Sequence, residues 1–290
     1  MNTLWKEIRY KMLHSGSKIG LLIGINIIVY VAINVPGVIE WLFTRNNLIS
    51  YYADEYLLLP AYLPKLATRF WTPLTYMFMH AGPLHIFFNM LWLYWIGQIF
   101  EEYLGNKRTI GLYLFGGLTG ALFFVLAYNY IPVFAHSNVA VGAVVVGASA
   151  AVMAVIVATA TLLPDYTIYM MFIGPVKLKW LAIFYVILDF ILIAGANPGG
   201  EISHLGGAFF GFIYIKQLQR GHDWIGSINK IFKPSPKLKV VSKSSVKNSN
   251  DLPRQEEIDR ILDKISQSGY ESLNKQEKEV LFRASKDNEG

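Results

Sequence analysis

The feature that most constrains this chain is a series of apolar stretches nearly long enough to cross a lipid bilayer. A membrane-spanning helix needs roughly 20 apolar residues, and several stretches approach that length. They lie at residues 19–35, 84–100, 109–130, 144–163, 178–194 and 202–218. Hydrophobic residues make up 53% of the chain and charged residues only 16%, whereas soluble domains carry roughly 25% charged residues. The sequence therefore predicts an all-α, polytopic membrane protein with a bundle of six transmembrane helices.

Basic residues predict how these spans are oriented. Lys and Arg in short loops collect on the cytoplasmic side of a membrane. Lys6, Arg9, Lys11 and Lys18 lie before the first span, and Lys107 and Arg108 lie between the second and the third. Lys177 and Lys179 lie at the start of the fifth span, and Lys216 and Arg220 lie at the end of the sixth. Because these places alternate, we expect both termini in the cytoplasm, with the first span retained as a helix. The long, aromatic-rich segment 36–83 predicts a structured loop partly in the opposite interface.

The remaining sequence predicts segments outside the membrane. Residues 1–18 form a cytoplasmic N-terminal segment, and residues 19–221 form the membrane domain. Residues 222–250 read as a flexible basic linker, whose lysines attract anionic lipid headgroups. Nucleic acid is not expected as a partner for this linker beside a membrane domain.

Residues 251–290 predict a small helical tail. Ile258, Ile261, Leu262 and Ile265 mark one amphipathic helix, and Leu273, Val280 and Leu281 mark a second. Gly269 ends the first helix, while Asn274 and Glu277 have the spacing of a capping box. Two short helices bury little core, so we expect this tail to dock on itself or on an unknown partner.

Strongly polar side chains within membrane spans are costly and are usually functional. Five stand out in the predicted spans: His85, Asn89, Ser149, Asp189 and His204. A serine in a membrane helix commonly bonds a backbone carbonyl or a neighbouring helix, and a His-Asn pair can do the same. His85 and Asn89 are four residues apart, so they project from one helix face and can donate hydrogen bonds to a common point.

Small residues predict which spans pack together. Gly207 and Gly211 form a G-x-x-x-G pattern, which lets a helix backbone approach a second small-faced helix. The matching face is a strip of alanines in the fourth span: Ala150, Ala154 and Ala158. Packing of these faces would place Ser149 level with His204.

This arrangement predicts a hydrolytic site. A serine hydroxyl becomes a good nucleophile only when a base removes its proton, and acyl transfer also needs donors for the developing oxyanion. His204 would be the base and later the acid, while His85, Asn89 and the Ser149 backbone N–H would be the donors. The chemistry is peptide-bond hydrolysis within the membrane by a Ser-His dyad. No cofactor is needed.

Three motifs resemble those of the rhomboid intramembrane serine proteases. They are HIFFN at residues 85–89, GASA at 147–150 and HLGGAFFG at 204–211, and with the spans they cover about residues 19–220. The resemblance implies Ser149 as nucleophile, His204 as base, His85 and Asn89 as oxyanion donors, and support from Gly147, Gly207 and Gly211. It also implies a structural role for His80, transmembrane proteins as substrates, lipid contact, and the bacterial inner membrane as location.

The chain departs from the family pattern at three places. The family's GxSG motif ends here in Ala150, and Met153 occupies the position commonly held by a Tyr that stacks on the catalytic histidine. A thioether also packs favourably on an aromatic ring. The usual Trp-Arg pair of the first loop reads Trp71-Thr72, with Arg69 two residues earlier.

Other roles for the polar residues remain open at this point. Asp189 has no place in the dyad and is expected to be a structural partner or to line the route of substrate. The fifth span and the loop 195–201 are expected to be flexible and to gate that route. A substrate helix must unwind before cleavage, which favours substrates with Gly, Ala or Ser near the outer face.

Two alternatives compete with the protease. A catalytically inactive rhomboid-like protein would bind and escort transmembrane segments, but such proteins typically lack the serine or the histidine. A small transporter is disfavoured because the spans show no obvious inverted repeat. No metal site is expected, because the chain has no Cys and we predict no carboxylate at ligand spacing near the candidate histidines.

Overall fold

The computed structural model describes residues 17–135, 139–170, 173–231 and 255–286. The chain divides into two compact units, Met1–Lys233 and Pro234–Gly290. The basic residues Lys6, Arg9 and Lys11, and most of the predicted linker 222–250, lie outside the described residues.

The described secondary structure is almost entirely helical, as the sequence predicts. The helices of the first unit are α1 (Lys18–Thr44), α2 (Leu48–Leu57), α3 (Leu63–Thr68), α4 (Thr72–Thr75), α5 (Pro83–Leu104), α6 (Asn106–Tyr130), α7 (Pro132–Ala135), α8 (Val139–Gly142), α9 (Ser149–Leu162), α10 (Leu178–Leu192), α11 (Pro198–Gln219) and α12 (Trp224–Ile231). Two short antiparallel pairs accompany them: β1 (Leu59–Pro60) with β2 (Val144–Val145), and β3 (Thr167–Met170) with β4 (Gly174–Lys177).

Membrane-spanning length is clear for two of the described helices. By length and composition, α1 and α6 could each cross a membrane, while α9 is apolar but has only 14 residues. Large apolar side chains face outward from the helices, including Ile28, Phe43 and Phe190. An outer surface of this kind is expected where lipid replaces water as the solvent.

The first predicted span ends too early. Helix α1 continues through Pro36 to Thr44, so the predicted boundary near residue 35 is wrong. The extension is stabilised by Glu40, whose carboxylate accepts hydrogen bonds from the backbone N–H groups of Leu48 and Ile49 at 3.2 and 2.9 Å. These are N-terminal N–H groups of α2 that lack helical acceptors, so Glu40 joins α1 to α2.

The loop after α1 is structured, as predicted, and Glu55 anchors it. Lys65 and Arg69 donate to the Glu55 carboxylate at 2.7 and 2.5 Å. The hydrogen bonds from Arg69 and then Lys65 hold the pKa of Glu55 below its usual range. The Arg69 guanidinium also lies 4.7 Å from the centre of the Tyr56 ring. Arg69 therefore anchors this loop, although it lies three residues before the position of the Arg in the family's usual Trp-Arg pair.

The predicted start of the fourth span, at residue 144, is also wrong. Residues 144–145 form strand β2, and the helix begins only at Ser149. The backbone turns at Gly147, where φ is +126°, a value that favours glycine and does not occur in a right-handed helix. Ser149 therefore lies at the first turn of α9 rather than inside a continuous helix.

Helix α9 forms the centre of the bundle. Every residue from Ala150 to Ala160 is buried, because α5, α6, α10 and α11 pack around this helix. On one side, β-carbons at Gly207 and Gly211 of α11 would overlap the carbonyl oxygens of Ala150 and Ala154. The predicted packing of the G-x-x-x-G face against these two alanines is therefore confirmed. On another side, Gly116 and Gly120 of α6 face the same pair.

The connections around α10 differ from their prediction. The sequence before α10 folds as the β3–β4 hairpin, which the hydropathy pattern missed. After α10, the predicted loop 195–201 is shorter, since α11 already begins at Pro198. The Asn197 side chain accepts a hydrogen bond from the Gly200 N–H at 3.3 Å, and proline is favourable in a first helical turn. Gly199 and Gly200 are thus helical.

The predicted flexible linker begins with a helix instead. Asp223 caps α12, because its carboxylate accepts a hydrogen bond from the Gly226 N–H at 2.8 Å. Arg108 of α6 donates to Asp223 at 2.9 Å, and the Tyr214 hydroxyl of α11 donates at 3.2 Å. Asp223 therefore joins three helices at one end of the bundle.

The second unit contains α13 (Gln255–Ser268) and α14 (Lys275–Lys286). Gly269 follows α13 with φ of +77°, and Asn274 and Glu277 exchange side-chain and backbone hydrogen bonds at 2.8 and 2.9 Å. The predicted stop and capping box are confirmed. The sequence predicts Leu273 within the second helix, but Leu273 precedes α14. Leu273 and Ile261 are both buried.

Candidate active site

One cavity contains every polar residue that the sequence analysis singled out within the spans. Its volume is about 670 Å³, and its walls come from α5, the β2–α9 segment, α10 and α11. The polar side chains that line it are His85, Asn89, Ser149, Tyr185, Asp189, Asn197 and His204. Residues from four distant parts of the chain therefore meet at a single internal surface.

Ser149 occupies the first position of α9. The helix has no side-chain cap, and the first helical hydrogen bond runs from the Val152 N–H to the Ala148 carbonyl at 2.9 Å. The backbone N–H groups at the start of a helix have no helical acceptor and form the positive end of the helix dipole. A negative charge that develops beside Ser149 would therefore be stabilised.

Gly147 brings His85 close to Ser149. A β-carbon at Gly147 would lie 2.7 and 2.8 Å from His85 Cε1 and Nε2, and 3.5 Å from Ser149 Oγ. The Gly147 N–H is fixed by the Tyr76 carbonyl at 3.0 Å, and the nearby β2 strand pairs with β1. Only glycine allows both the positive φ and the close approach of the imidazole.

The hydrogen bonds of His85 determine which ring nitrogen can donate into the cavity. The Ala81 N–H donates to His85 Nδ1 at 3.3 Å, so Nδ1 acts as the acceptor. In a neutral imidazole the other nitrogen then carries the proton. Nε2 is thus a donor beside Gly147 and Ser149.

Asn89 offers a second donor from the same helix face. Its amide nitrogen donates one hydrogen to the His85 carbonyl at 2.8 Å, and the side chain is buried in the cavity wall. An amide nitrogen carries two hydrogens, so one remains for a bound group. The hydrogen bond to His85 also holds the Asn89 side chain in place.

His204 contacts two carboxylates. Its Nδ1 lies 3.2 Å from Asp189 Oδ1 of α10 and 3.4 Å from Glu201 Oε2, one turn earlier on α11. The prediction that no carboxylate lies near a candidate histidine is wrong. The expectation that Asp189 is a partner for a polar group of a neighbouring span agrees with its contact to His204. The ligand-type atoms of these three residues lie within 4.8 Å of one another, which is a donor set that metals accept.

Sequence reasoning missed Glu201 as part of this cluster. Glu201 and His204 are three residues apart, so a helical reading of residues 198–204 would have placed them on one face. The prediction of a loop at 195–201 hid this spacing. Asp189 was noticed, but only the packing of α10 against α11 brings it to His204.

The other residues named from the family pattern also surround the cavity or its donors. Met153 is buried and lines the cavity. His80 is buried, and its ring packs edge-on against His85 with centroids 5.2 Å apart.

Trp92 of α5 and Tyr185 of α10 form a perpendicular ring pair at 5.5 Å across the cavity margin. This pair connects α5 to α10 beside the proposed route of substrate.

The described residues of the first unit form a mainly helical fold in which a serine, two histidines and an asparagine line one cavity. A family model described as the Rhomboid domain matches residues 67–220, more than half of the chain. The chain therefore belongs to the rhomboid family, which is membrane-embedded.

One curated relative places this match in context. RHOMBOID-like protein 12, mitochondrial, from Arabidopsis thaliana is 32% identical over 162 residues, which cover 53% of this chain and 48% of the relative. The chain thus spans about half the length of that relative. A second family model, described only as a family of unknown function, matches residues 246–287 and so includes α13 and α14.

Proposed function

We propose that this protein is an intramembrane serine endopeptidase that cleaves transmembrane segments of other membrane proteins. The observation that carries the proposal is the meeting of Ser149, His204, His85 and Asn89 in one cavity. Each residue type has a defined role in acyl transfer, and family membership supports the same assignment.

The reaction proceeds in two halves. His204 accepts the Ser149 hydroxyl proton as Oγ attacks the scissile carbonyl, and the oxyanion is stabilised by His85 Nε2–H, Asn89 Nδ2–H and the Ser149 N–H. His204 then gives the proton to the departing amine, which leaves an ester on Ser149. A water molecule, deprotonated by His204, attacks this ester and releases the new carboxyl end together with the regenerated Ser149 hydroxyl.

The length of α9 supports a site below the membrane surface. Fourteen residues give a helix of about 21 Å, against a hydrocarbon core of about 30 Å. If the far end of α9 reaches one interface, Ser149 lies about 9 Å below the other. An internal cavity beside Ser149 would then supply water at a depth where lipid excludes it.

The remaining features of the proposal concern topology and substrates. Six transmembrane helices, namely α1, α5, α6, α9, α10 and α11, would cross or enter the membrane, with both termini in the cytoplasm of a bacterial cell. Gly and Ser weaken a helix, and a substrate helix must unwind before its backbone can reach the site. Substrates with such residues near the outer membrane face are therefore preferred.

The test is cleavage of a tagged single-span substrate by the full chain reconstituted in lipid vesicles. Ser149→Ala and His204→Ala should each reduce the cleavage rate by more than about 10³-fold, because removal of either partner disables the nucleophile. Vesicle insertion of both variants and thermal unfolding of Ser149→Ala should match those of the wild type. A fluorophosphonate probe should label the wild type but not Ser149→Ala.

The same experiments distinguish a protease from a protein that only binds and escorts transmembrane segments. A wild type that bound helix-weakened substrates without cleaving any of them, and that resisted the fluorophosphonate, would contradict the protease assignment. Cleavage that survived Ser149→Ala would show that another residue is the nucleophile.

A further inference from the structure

Asp189, one of the two carboxylates that contact His204, lies on α10, a helix with few buried residues. Only Leu178, Leu181, Ala182 and Asp189 are buried among the 15 residues of α10. Three of these residues are apolar and lie in the first turns of the helix. Asp189 is an ionisable residue and lies near the other end, against the Nδ1 atom of His204.

We propose that Asp189 is a positioning residue, which fixes the His204 ring and its tautomer so that Nε2 can act as the base. This inference rests on the proposed function and adds a third member to the Ser149–His204 pair. An ionised carboxylate can only accept hydrogen bonds, so a bond between Asp189 and His204 requires the proton on Nδ1. Nε2 then carries the lone pair that removes the Ser149 proton.

Asp189 suits this role better than the second carboxylate. Its oxygen is closer to Nδ1 than that of Glu201, at 3.2 against 3.4 Å, and its side chain is 7% exposed against 14%. A less exposed carboxylate is screened less by water, so its hydrogen bond is stronger. Asp189 also lies on another helix than His204, whereas Glu201 lies one turn away on the same helix.

The second oxygen of Asp189 argues against a purely structural role. Among the described residues, Oδ2 is buried without a donor, and its close neighbour Glu201 is a second carboxyl group. A buried carboxylate oxygen that lacks a donor destabilises the folded protein. Asp189 therefore stabilises the fold less than a fully bonded residue would, as expected for a side chain retained for catalysis.

The position of Asp189 also links the base to the substrate route. Asp189 is one turn beyond Tyr185, which packs on Trp92 at the cavity margin. An outward movement of α10 that separates this ring pair would withdraw the carboxylate from His204 while substrate enters, and the return of α10 would restore the contact before cleavage. The tautomer of the base would then depend on the position of α10.

The experiment compares Asp189→Asn with Glu201→Gln in the reconstituted full chain. Asn has nearly the shape of Asp but cannot enforce a proton on Nδ1, because its amide can also donate. We expect kcat to fall roughly 10²- to 10⁴-fold in Asp189→Asn. KM should stay within about threefold, as expected when only a transition-state interaction is lost. Glu201→Gln should lose less than about tenfold, since its hydrogen bond is longer and more exposed.

A second readout does not depend on turnover. Nitrogen NMR of histidine-labelled Ser149→Ala protein should show the His204 proton on Nδ1, with assignment from the Ser149→Ala/His204→Ala double variant. Addition of Asp189→Asn should move a measurable share of that proton to Nε2. The Ser149→Ala protein retains Asp189, so its tautomer decides the matter even if Asp189→Asn fails to fold.

Several outcomes would overturn the inference while leaving the protease assignment intact. One is an active wild type whose kcat is unchanged by Asp189→Asn. Another is a loss of activity that merely follows a lower unfolding temperature, and a third is a proton on Nε2 in the Ser149→Ala protein. Activity that is lost on dialysis against a chelator and restored by zinc would instead assign the carboxylates to a metal.

Discussion

The two neighbours of the central helix on either side of the cavity differ sharply in how they are held. Helix α11 approaches α9 so closely that Gly207 and Gly211 leave no room for a β-carbon. Helix α10 contributes only four buried residues, and side chains such as Phe184 and Phe190 face outward. His204, the proposed base, therefore lies on a tightly packed helix, while Asp189 lies on a helix with few buried residues.

Under the proposed function, this difference combines a fixed site with access for a large substrate. Ser149 and His204 need a constant separation, and glycine-mediated packing of α9 against α11 provides it. A substrate helix needs a wall that can move, and under the proposed function α10 is that wall because few of its residues are buried.

The largest effect is expected at the tightly packed side. In Gly207→Val, the new side chain would overlap the Ala150 carbonyl, which is backbone and cannot rotate away. We expect a loss of more than about 3 kcal/mol of stability and no detectable cleavage. Unfolding temperature in detergent and cleavage in vesicles measure both effects. Gly142→Ala is the matched control, because a β-carbon there meets nothing within 4 Å.

Gly147→Ala should produce the next largest effect, and it should act on chemistry more than on folding. A β-carbon would push against His85 Nε2, and alanine is strained at φ of +126°. Displacement of one oxyanion donor should lower kcat about 10²- to 10³-fold, while the strain costs about 1–3 kcal/mol. Steady-state kinetics measure the first effect and thermal unfolding the second. A full wild-type kcat would show that His85 is not an oxyanion donor.

These two glycines also illustrate how far sequence reasoning can go. Gly207 was assigned correctly, because the G-x-x-x-G spacing has a direct meaning for helix packing. The sequence identifies Gly147 as part of the GASA motif but does not predict its positive φ, since hydropathy does not reveal a turn inside an apolar run. The continuous apolar character of residues 144–163 hid the change from strand to helix at Ser149.

Long-range polar contacts were the least predictable part of the site. Both Asp189 and His204 were noticed, yet their hydrogen bond depends on how α10 is placed against α11. Residues 15 positions apart on different helices have no fixed spatial relation in the sequence. The local capping box at Asn274 and Glu277 was predictable because it lies within one turn.

On the peripheral side, Trp92→Ala should increase cleavage rather than decrease it. The perpendicular pair of Trp92 and Tyr185 is worth about 0.5–1.5 kcal/mol beyond simple burial, and its loss would favour outward positions of α10. We expect an increase of about 2- to 10-fold in kcat/KM for a single-span substrate, from initial rates in vesicles. Phe209→Ala is a matched aromatic control on the exposed part of α11, and it should leave the rate unchanged.

The proposed movement of α10 can also be tested by restricting it. The chain contains no cysteine, so a Trp92→Cys/Tyr185→Cys variant offers a single reactive pair. A short thiol-cleavable crosslinker should reduce cleavage by the joined protein, and reduction should restore it. Equal activity before and after crosslinking would contradict a moving α10.

The smallest effect is expected at Asp223, at the end of the bundle where α6, α11 and α12 meet. Burial alone would raise the pKa of this carboxyl, but the Gly226 N–H and the Arg108 guanidinium outweigh it and hold the pKa below its usual range. A depressed pKa in the folded state means that the stabilisation is complete above the unfolded pKa. It is lost as the pH falls through the folded value, that is, below about pH 4.

Asp223→Asn should therefore lower stability by about 1 kcal/mol at pH 7, because the salt bridge is partly exposed and the cap is retained only in part. The difference from wild type should shrink as the pH falls below about 4. Denaturant unfolding at several pH values measures this difference. Cleavage at pH 7 should be unchanged, because the glycine contacts between α9 and α11 already fix Ser149 relative to His204. A loss of activity without a loss of stability would mean that the far end of the bundle controls the site, and that the tightly packed side is less rigid than its glycines indicate.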